Sequence, residues 1–355
     1  MKSIEDYVHL EPKYYEAVLQ NYEDLFDNQI GQINNNITNV VIYATGSSSN
    51  AAYGALPFMS NILKMSVKIE EPSLAENYLL HVSQNSFCIA ISQGGHSYSV
   101  VKIIQRLQDA GNTVFALTSE LDSPVGQVCH HVLDMGMPIE EMPYVSAGYS
   151  VEILDLMLLA MLIAQKAGKL SSVEFTPILA EIKNIARQMP EVIKRASSWV
   201  ENNISKFATA KRLVFIGYGA TYGVSREGET KTTEAVRINS WGKELEEYMH
   251  GPYLGLNADD FIICLDPMGK LHDRMDLLKR FLNKHVKNVY TIYPGKDQSE
   301  AANDLSLGIT TNELLTSLFM TVPIHLLAHK LSQVKKIDLQ HSAYPDFDQI
   351  TASKI

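Results

Sequence analysis

Cysteine is scarce in this 355-residue chain, lysine and arginine are outnumbered, and long apolar runs are missing. Only Cys88, Cys129 and Cys264 occur, each within or beside an apolar stretch, which excludes a disulfide framework and paired metal-binding spacing and reads as reduced core thiols. No run reaches the ~18 uninterrupted apolar residues of a spanning helix, and Met1 to Asp6 carries no apolar leader region. A cytoplasmic protein without a membrane partner is the expectation. The formal charge of −10 repels polyanions, and no basic run with interleaved aromatics is present, so nucleic acid is excluded as a partner. Neither a G-x-x-x-x-G-K-[ST] loop nor a dinucleotide fingerprint occurs. Any phosphate must therefore be held locally, by neutral donors.

What is present is alternation. Helical spacing of Tyr14, Val18, Leu25 and Ile30 opens the chain. Short β-branched runs follow at Val40 to Ala44, Ser86 to Ile91, Thr113 to Thr118 and Val132 to Met135, then a strongly apolar helix at Ile153 to Ala167. An amphipathic stretch with Ile178, Ile182, Ile185, Met189 and Val192 on one stripe reads as a helical connector. Beyond it the first half begins again: Leu213 to Gly217, Phe261 to Leu265 and Asn288 to Tyr293 echo the earlier strands, and Leu314 to Leu331 echoes the closing helix. Strands alternating with helices in this way predict an α/β protein of two similar parallel-sheet domains. The reading assigns 1–34 to an N-terminal helix, 35–170 to the first domain, 171–210 to the connector, 211–340 to the second domain and 341–355 to a tail.

Two loops in the first half stand where a strand hands over to a helix, and both are rich in hydroxyls. Thr45, Gly46, Ser47 and Ser48 form one; Ser92, Gln93, Gly94 and Ser97 belong to the other. Unpaired backbone N–H groups and the helix dipole favour an anion at such a place. Either loop alone is also what ordinary N-capping produces; side by side, they point to phosphate. In the second half Glu227, Lys231 and Glu234 fall at i, i+4 and i+7, one helical face with two carboxylates and an ammonium, and His250-Gly251-Pro252 follows. A solvated salt-bridge stripe has the same spacing, so the pattern gains meaning only from its place after a Gly-marked strand end. His325 and His329, i,i+4 on an apolar helix without the Glu of H-E-x-x-H, read as packed or capping side chains, and no metal site is expected.

Taken together these residues resemble the tandem sugar isomerase (SIS) family, which includes the isomerase half of glucosamine-6-phosphate synthase and the fructoselysine 6-phosphate deglycases. Glu227-Gly228, Lys231 and Glu234, followed sixteen residues later by His250-Gly251-Pro252, are similar to the synthase's catalytic helix and its K-H-G-P loop in both residue type and spacing. Thr321 to Ala328 resembles its last helix. The resemblance implies two tandem SIS domains, each a parallel sheet flanked by helices in a flavodoxin-like three-layer sandwich. It implies that Ser48, Ser92, Gln93 and Ser97 hold a 6-phosphate, that Glu234 is the main acid/base, and that His250 reaches in from a neighbouring subunit of a homodimer or higher homo-oligomer. It implies a sugar-phosphate substrate and no cofactor. There are departures. The synthase's S-Q-S-G-E-T is here Ser92-Gln93-Gly94-Gly95-His96-Ser97, and its S-T-K is Ser146-Ala147-Gly148; a tail lysine has given way to an acid near Asp348; and no glutaminase domain is expected. A deglycase or isomerase acting on a 6-phosphorylated amino sugar or glycated amino acid is the expectation. A glucosamine-6-phosphate isomerase or deaminase and a non-catalytic sugar-phosphate-binding regulator remain alternatives.

Overall fold

The computed structural model describes residues 1–31, 36–79, 81–296 and 303–355. The boundary expected at 34/35 lies outside them. The chain starts with α1 (Ile4–Tyr22), whose first turn is closed by a capping box between Ser3 and Asp6. A π-helical turn (Glu23–Asp27) leads to the short α2 (Asn28–Ile30). The helix begins ahead of the spaced residues Tyr14 to Ile30 that mark it in the sequence, because the capping box sets its start and Pro12 is carried inside it.

The first sheet holds β1 (Asn39–Tyr43), β2 (Ser66–Glu70), β3 (Ser86–Ile91), β4 (Val114–Thr118) and β5 (His131–Asp134), in the order β2-β1-β3-β4-β5. Its helices are α3 (Gly46–Leu63), α4 (Pro72–Tyr78), α5 (Tyr98–Asp109), α6 (Pro124–Val128) and α7 (Ala147–Lys166). The long α8 (Ser172–Phe207) then crosses to the second sheet, where β6 (Arg212–Gly217), β7 (Asn239–Glu244), β8 (Phe261–Leu265), β9 (Asn288–Tyr293) and β10 (Leu305–Ser306) stand in the order β10-β9-β8-β6-β7. Read from the other edge, this is the first sheet's order repeated. All pairings between these ten strands are parallel. The helices of this half are α9 (Ala220–Lys231), α10 (Leu245–Met249), α11 (His272–His285), α12 (Ser317–Met320), α13 (Val322–Val334) and α14 (Phe347–Thr351). Two parallel five-stranded sheets flanked by helices, with one topology used twice, form the tandem α/β architecture that the sequence pattern predicts.

Strand periodicity decides how the halves join. Val40, Ile42 and Ala44 point to one face of the first sheet, and Phe215, Ile263 and Tyr290 to one face of the second; all belong to a single apolar core with α3, α7, α8 and α13 between them. The alternate residues, Val41 and Tyr43 on one sheet and Val214 and Ile216 on the other, fill two separate outer cores. Each central strand is buried on both faces, hence its continuous apolar run. Strands β2, β7 and β10 were not foreseen from the sequence: β2 and β7 read Ser-Val-Lys-Ile-Glu and Asn-Ser-Trp-Gly-Lys-Glu, and all three stand at a sheet edge, where polar residues are tolerated or useful. Helix α7 is long and apolar enough to cross a membrane by length and composition, and its most apolar window is wholly buried inside the fold.

Candidate functional site

Strands β1 and β3 are neighbours, with β2 on the far side of β1, so the chain reverses its direction of travel between them. Ligands of open α/β sheets bind at this switch point, outside the carboxyl ends of the strands. Here the two hydroxyl-rich loops lie side by side, since Tyr43 pairs with Ala90 two residues before each loop. Thr45 precedes α3 and Ser97 precedes α5, both in extended backbone and neither spending its side chain on a cap. Gly95 allows the second loop to turn: its φ is +67°, and a Cβ there would meet Ser123 Oγ at 1.8 Å. Gly46, at φ +61°, has no heavy atom within 4 Å of where a Cβ would stand, which leaves the first loop open. Gln93 is buried, with no hydrogen-bond partner for its Nε2 among the described residues, and Ser92, Gly94 and Ser97 are partly exposed. The chain also returns to this place at its other end: Ile355 N donates to His96 O (3.1 Å) and Tyr98 N to Ser353 O (3.3 Å).

The other cluster comes from α9. Glu227 and Lys231 are one α-helical turn apart, 3.4 Å between Nζ and Oε1. Past Lys231 the helix widens into a π-helical turn (Thr232–Val236) that ends on Arg237 in the left-handed region, and this turn presents Glu234 to the same ammonium. A π turn inside a helix is a recurrent feature of functional sites. The set is not the solvated stripe that its spacing also fits: Glu227 and Lys231 are fully buried, and only Glu234, 31% exposed, faces outward. Burial opposes the charge on Lys231, but Glu234 and Glu227 outweigh it and hold its pKa above the ordinary lysine value. Burial likewise works against ionised Glu227, yet Lys231, His325 and Asn50 keep its carboxyl below the usual range. In Glu234 burial wins, and with Glu227 nearby the carboxyl is raised despite Lys231. The arrangement is a carboxylate anchored as an anion, a fixed ammonium, and an accessible carboxyl whose affinity for a proton is increased: the parts of an acid/base pair.

The two loci are in direct contact. Helix α3 packs between α7 and α9, and its first turn reaches α9 directly: Ser47 Oγ donates to Glu227 Oε1 (3.0 Å), and Asn50 Nδ2 to Glu227 Oε2 (2.8 Å) and Thr230 Oγ1 (2.9 Å). Ser48 Oγ donates to Glu152 Oε1 on α7 (2.9 Å). Burial drives the Glu152 carboxyl up to about 8, with Ser48 opposing and Glu227 and Glu140 adding to the rise. Glu140, also raised by burial, accepts from Gly148 N (2.6 Å) and Ser146 N (3.1 Å) at the start of α7. Asn50, Glu140 and Glu152 were missed in the sequence. A signal existed for Glu152, one of two carboxylates, with Asp155, that interrupt a largely apolar helix.

His250 lies elsewhere. It is exposed, its Nδ1 is 2.7 Å from the Glu246 carbonyl, and among the described residues no hydrogen bond or ion pair joins it to Glu227, Lys231 or Glu234. Of the acidic residues before it, Glu244 caps α10 and Glu246 pairs with Arg274 (2.7 Å). His325 is buried beside Glu227 rather than merely packed, and His329 contacts Gln333 and Glu5.

Residues 35–165 match the SIS domain family. A glutamine–fructose-6-phosphate aminotransferase (isomerizing) of Bacteroides thetaiotaomicron is 22% identical over 86% of this chain and 50% of its own length, and its counterpart in Caldanaerobacter subterraneus is 24% identical over 88% and 53%. The chain thus spans about half the length of these curated relatives. Among solved structures, one from Clostridium difficile 630, provisionally described as a phosphosugar isomerase, superposes with a TM-score of 0.91 at 25% identity, covering 99% of this chain and 98% of that one. The C-terminal domain of glucosamine-fructose-6-phosphate aminotransferase from Francisella tularensis gives 0.87 at 17% identity, with 96% and 98% covered. A glucosamine-6-phosphate deaminase from Thermotoga maritima gives 0.72 at 19% identity, with 96% of each chain covered.

Proposed function

We propose, for a chain whose residues 35–165 belong to the SIS domain family, that it acts on a 6-phosphorylated amino sugar or glycated amino acid and releases hexose 6-phosphate and a free amine. The observation that carries this reading is the direct bonding of the first-loop residues Ser47 and Asn50 to Glu227. A phosphate held at the β1/β3 switch point would leave the sugar's reacting end facing Lys231 and Glu234. Thr45, Gly46, Ser47, Ser48, Ser92, Gln93, Gly94 and Ser97 are the groups offered to the phosphate, from two helix N-termini and neutral side chains. Glu234, partly exposed and with a raised pKa, takes a proton from C1 of the amino-ketose and the substrate O2 receives one, giving an enolamine. Return of a proton to C2 forms the imine at C1, and water adds there to release the amine. Lys231 and Glu227 fix the ionisation of Glu234. No step calls for an organic cofactor or a metal.

In this reading His250 of a second copy completes the site, in support of which the loop that carries it is exposed, with Leu254 77% accessible. The second reading is aldose–ketose isomerisation or deamination of glucosamine 6-phosphate by the same groups, favoured by the likeness to the Thermotoga maritima deaminase. One experiment separates them. The purified protein is incubated with 6-phosphofructose-lysine, 6-phosphofructose-aspartate, the corresponding glucose-type adduct and glucosamine 6-phosphate, and products are followed by mass spectrometry beside Glu234→Gln. Amine release from an adduct, lost by at least about 100-fold in Glu234→Gln, is the expected result. Ammonia or ketose phosphate from glucosamine 6-phosphate alone selects the second reading. Tight binding without turnover of any compound sinks both and leaves a sugar-phosphate-binding regulator.

A further inference from the structure

Glu227 has a neighbour without a task in the chemistry above. His325, fully buried on α13, places Nε2 3.5 Å from Glu227 Oε1, and its Nδ1 is 4.0 Å from Glu11 Oε1 on α1. Among the described residues neither ring nitrogen and neither oxygen of Glu11 has a hydrogen-bond partner. Orphaned polar atoms in a dry core are costly, and closing each gap by roughly an ångström or less brings it to hydrogen-bond length.

We propose that Glu11, His325 and Glu227 form a hydrogen-bonded triad that joins the N-terminal helix to the catalytic helix: Glu11 keeps its proton and donates it to Nδ1, and the Nε2–H of a neutral His325 donates to the Glu227 carboxylate. This assignment gives every member a partner while burying a single charge, the one already held on Glu227 beside Lys231: an imidazolium between two carboxylates has the same total but buries three charges, and the other imidazole tautomer sets a bare Nε2 against the Glu227 carboxylate until a proton moves. The directions of ionisation agree. Burial raises Glu11 well above the ordinary carboxyl range and lowers His325, whereas Glu227 is held low. The remaining surroundings of His325 are compatible with a neutral ring. Tyr149 of α7 meets it edge-on with centroids 5.7 Å apart, Lys231 opposes a charge on it, and the buried side chains of α8 are apolar apart from Asn203. The packed elements carry further titratable groups: Tyr7, Tyr14, Tyr15 and Tyr22 are buried on α1, Glu152 and Asp155 on α7 and His329 one turn along α13, and Glu234 stands on the π turn.

His325 and Glu11 are positioning residues in this scheme, since they act on substrate only through Glu227. They can also move charge. When the Nε2–H bond breaks as an O–H bond forms on Glu227, Nδ1 takes the Glu11 proton, the imidazole ends as its other tautomer, and the negative charge has passed from Glu227 to Glu11. No proton is gained or lost. The pair beside Lys231 can thus stay balanced while Glu234 changes charge, and α1, outside both sheets, becomes part of the active machinery.

The tautomer is measurable without substrate. Nitrogen-15 NMR of the histidine-labelled full chain reads both ring nitrogens of His325, assigned by comparison with His325→Gln or, should that variant not fold, by through-bond assignment in the wild type. A protonated Nε2 and a bare Nδ1 across about pH 5 to 9 are expected; an imidazolium at neutral pH, or the Nδ1–H tautomer, overturns the triad. Glu11→Gln should remove one protonated-carboxyl band from the infrared spectrum, and the lack of any such band in the wild type would equally sink it. Because these readouts need no turnover, their failure is distinct from failure of the deglycase reading on which the kinetic role rests. With a substrate in hand, His325→Gln should leave KM within about twofold and shift the pH limb of kcat; an unshifted profile with a lower melting temperature alone would mean a structural role.

Discussion

Glu152 illustrates how much a single side chain can hide. In the sequence it interrupts an apolar helix; in the fold it is buried, bonded to Ser48, and raised to about 8. An unfolded glutamate titrates near ~4.3. Below that pH both states hold the proton; above it the unfolded chain releases its proton while the folded one keeps it. Stability therefore falls as pH rises from about 4.3 to about 8 and levels off beyond. Glu152→Gln should show a distinctly smaller drop in melting temperature between about pH 5 and 8 than the wild type, with a residual drop from Glu11, Glu140 and Asp155, which burial also raises. An unchanged drop would place the Glu152 pKa in the ordinary range. At this scale the sequence was partly legible. The spacing of Glu227, Lys231 and Glu234 is local and could be read directly, whereas Ser48 and Glu152 are 104 positions apart and Asn50 and Glu227 are 177 apart, so no window of sequence contains either pair.

Helices α3 and α9 are where the two halves of the site are held in register. They cross at two glycines: a Cβ on Gly223 would stand 2.2 Å from Gly54 N and 2.5 Å from Asn50 O. Both clashing atoms are backbone, so neither can rotate away. In an isolated helix Gly→Ala stabilises by up to ~1 kcal/mol. At this crossing the sign should reverse, with Gly223→Ala losing about 2–4 kcal/mol in a denaturant melt, and with turnover falling because Ser47 and Asn50 are pushed off Glu227. A neutral or stabilised variant would mean that the helices separate without cost. The helices themselves were foreseeable from their strand-to-helix handovers. Their contact was not, because a glycine in a helix pattern reads only as a weak spot until the opposing backbone is seen.

The whole molecule raises the question of how many chains make one site. Within one chain His250 faces solvent just past the end of α10, while Glu234 lies on the turn after α9. If His250 serves a neighbouring copy, Glu234→Gln and His250→Asn should each be inactive alone, yet after unfolding and refolding together in equal amounts a closed dimer should recover about one quarter of wild-type turnover, since half the dimers are mixed and each of those has one intact site. No recovery, with mixed dimers shown by mass spectrometry, would confine His250 to its own chain or remove it from the chemistry. The shared core, fed by the inner faces of both sheets, gives the tandem halves one interior, so the duplication visible in the sequence is not a pair of independent beads.

Local order and its repetition were determined by the sequence alone: apolar β-branched runs buried on both faces, hydroxyl-rich handovers to helices, and the repeat of the whole pattern after a long helix, because each rests on interactions within a few residues or on periodicity. The tertiary structure alone decided that α9 of the second half closes onto the hydroxyl-rich loop ahead of α3 in the first. It also decided that a salt-bridge stripe is buried at Glu227 and Lys231 and that a histidine read as packing sits between two carboxylates. Those outcomes depend on which faces two sheets turn toward each other, and that is settled by the shared apolar core, to which residues from both ends of the chain contribute.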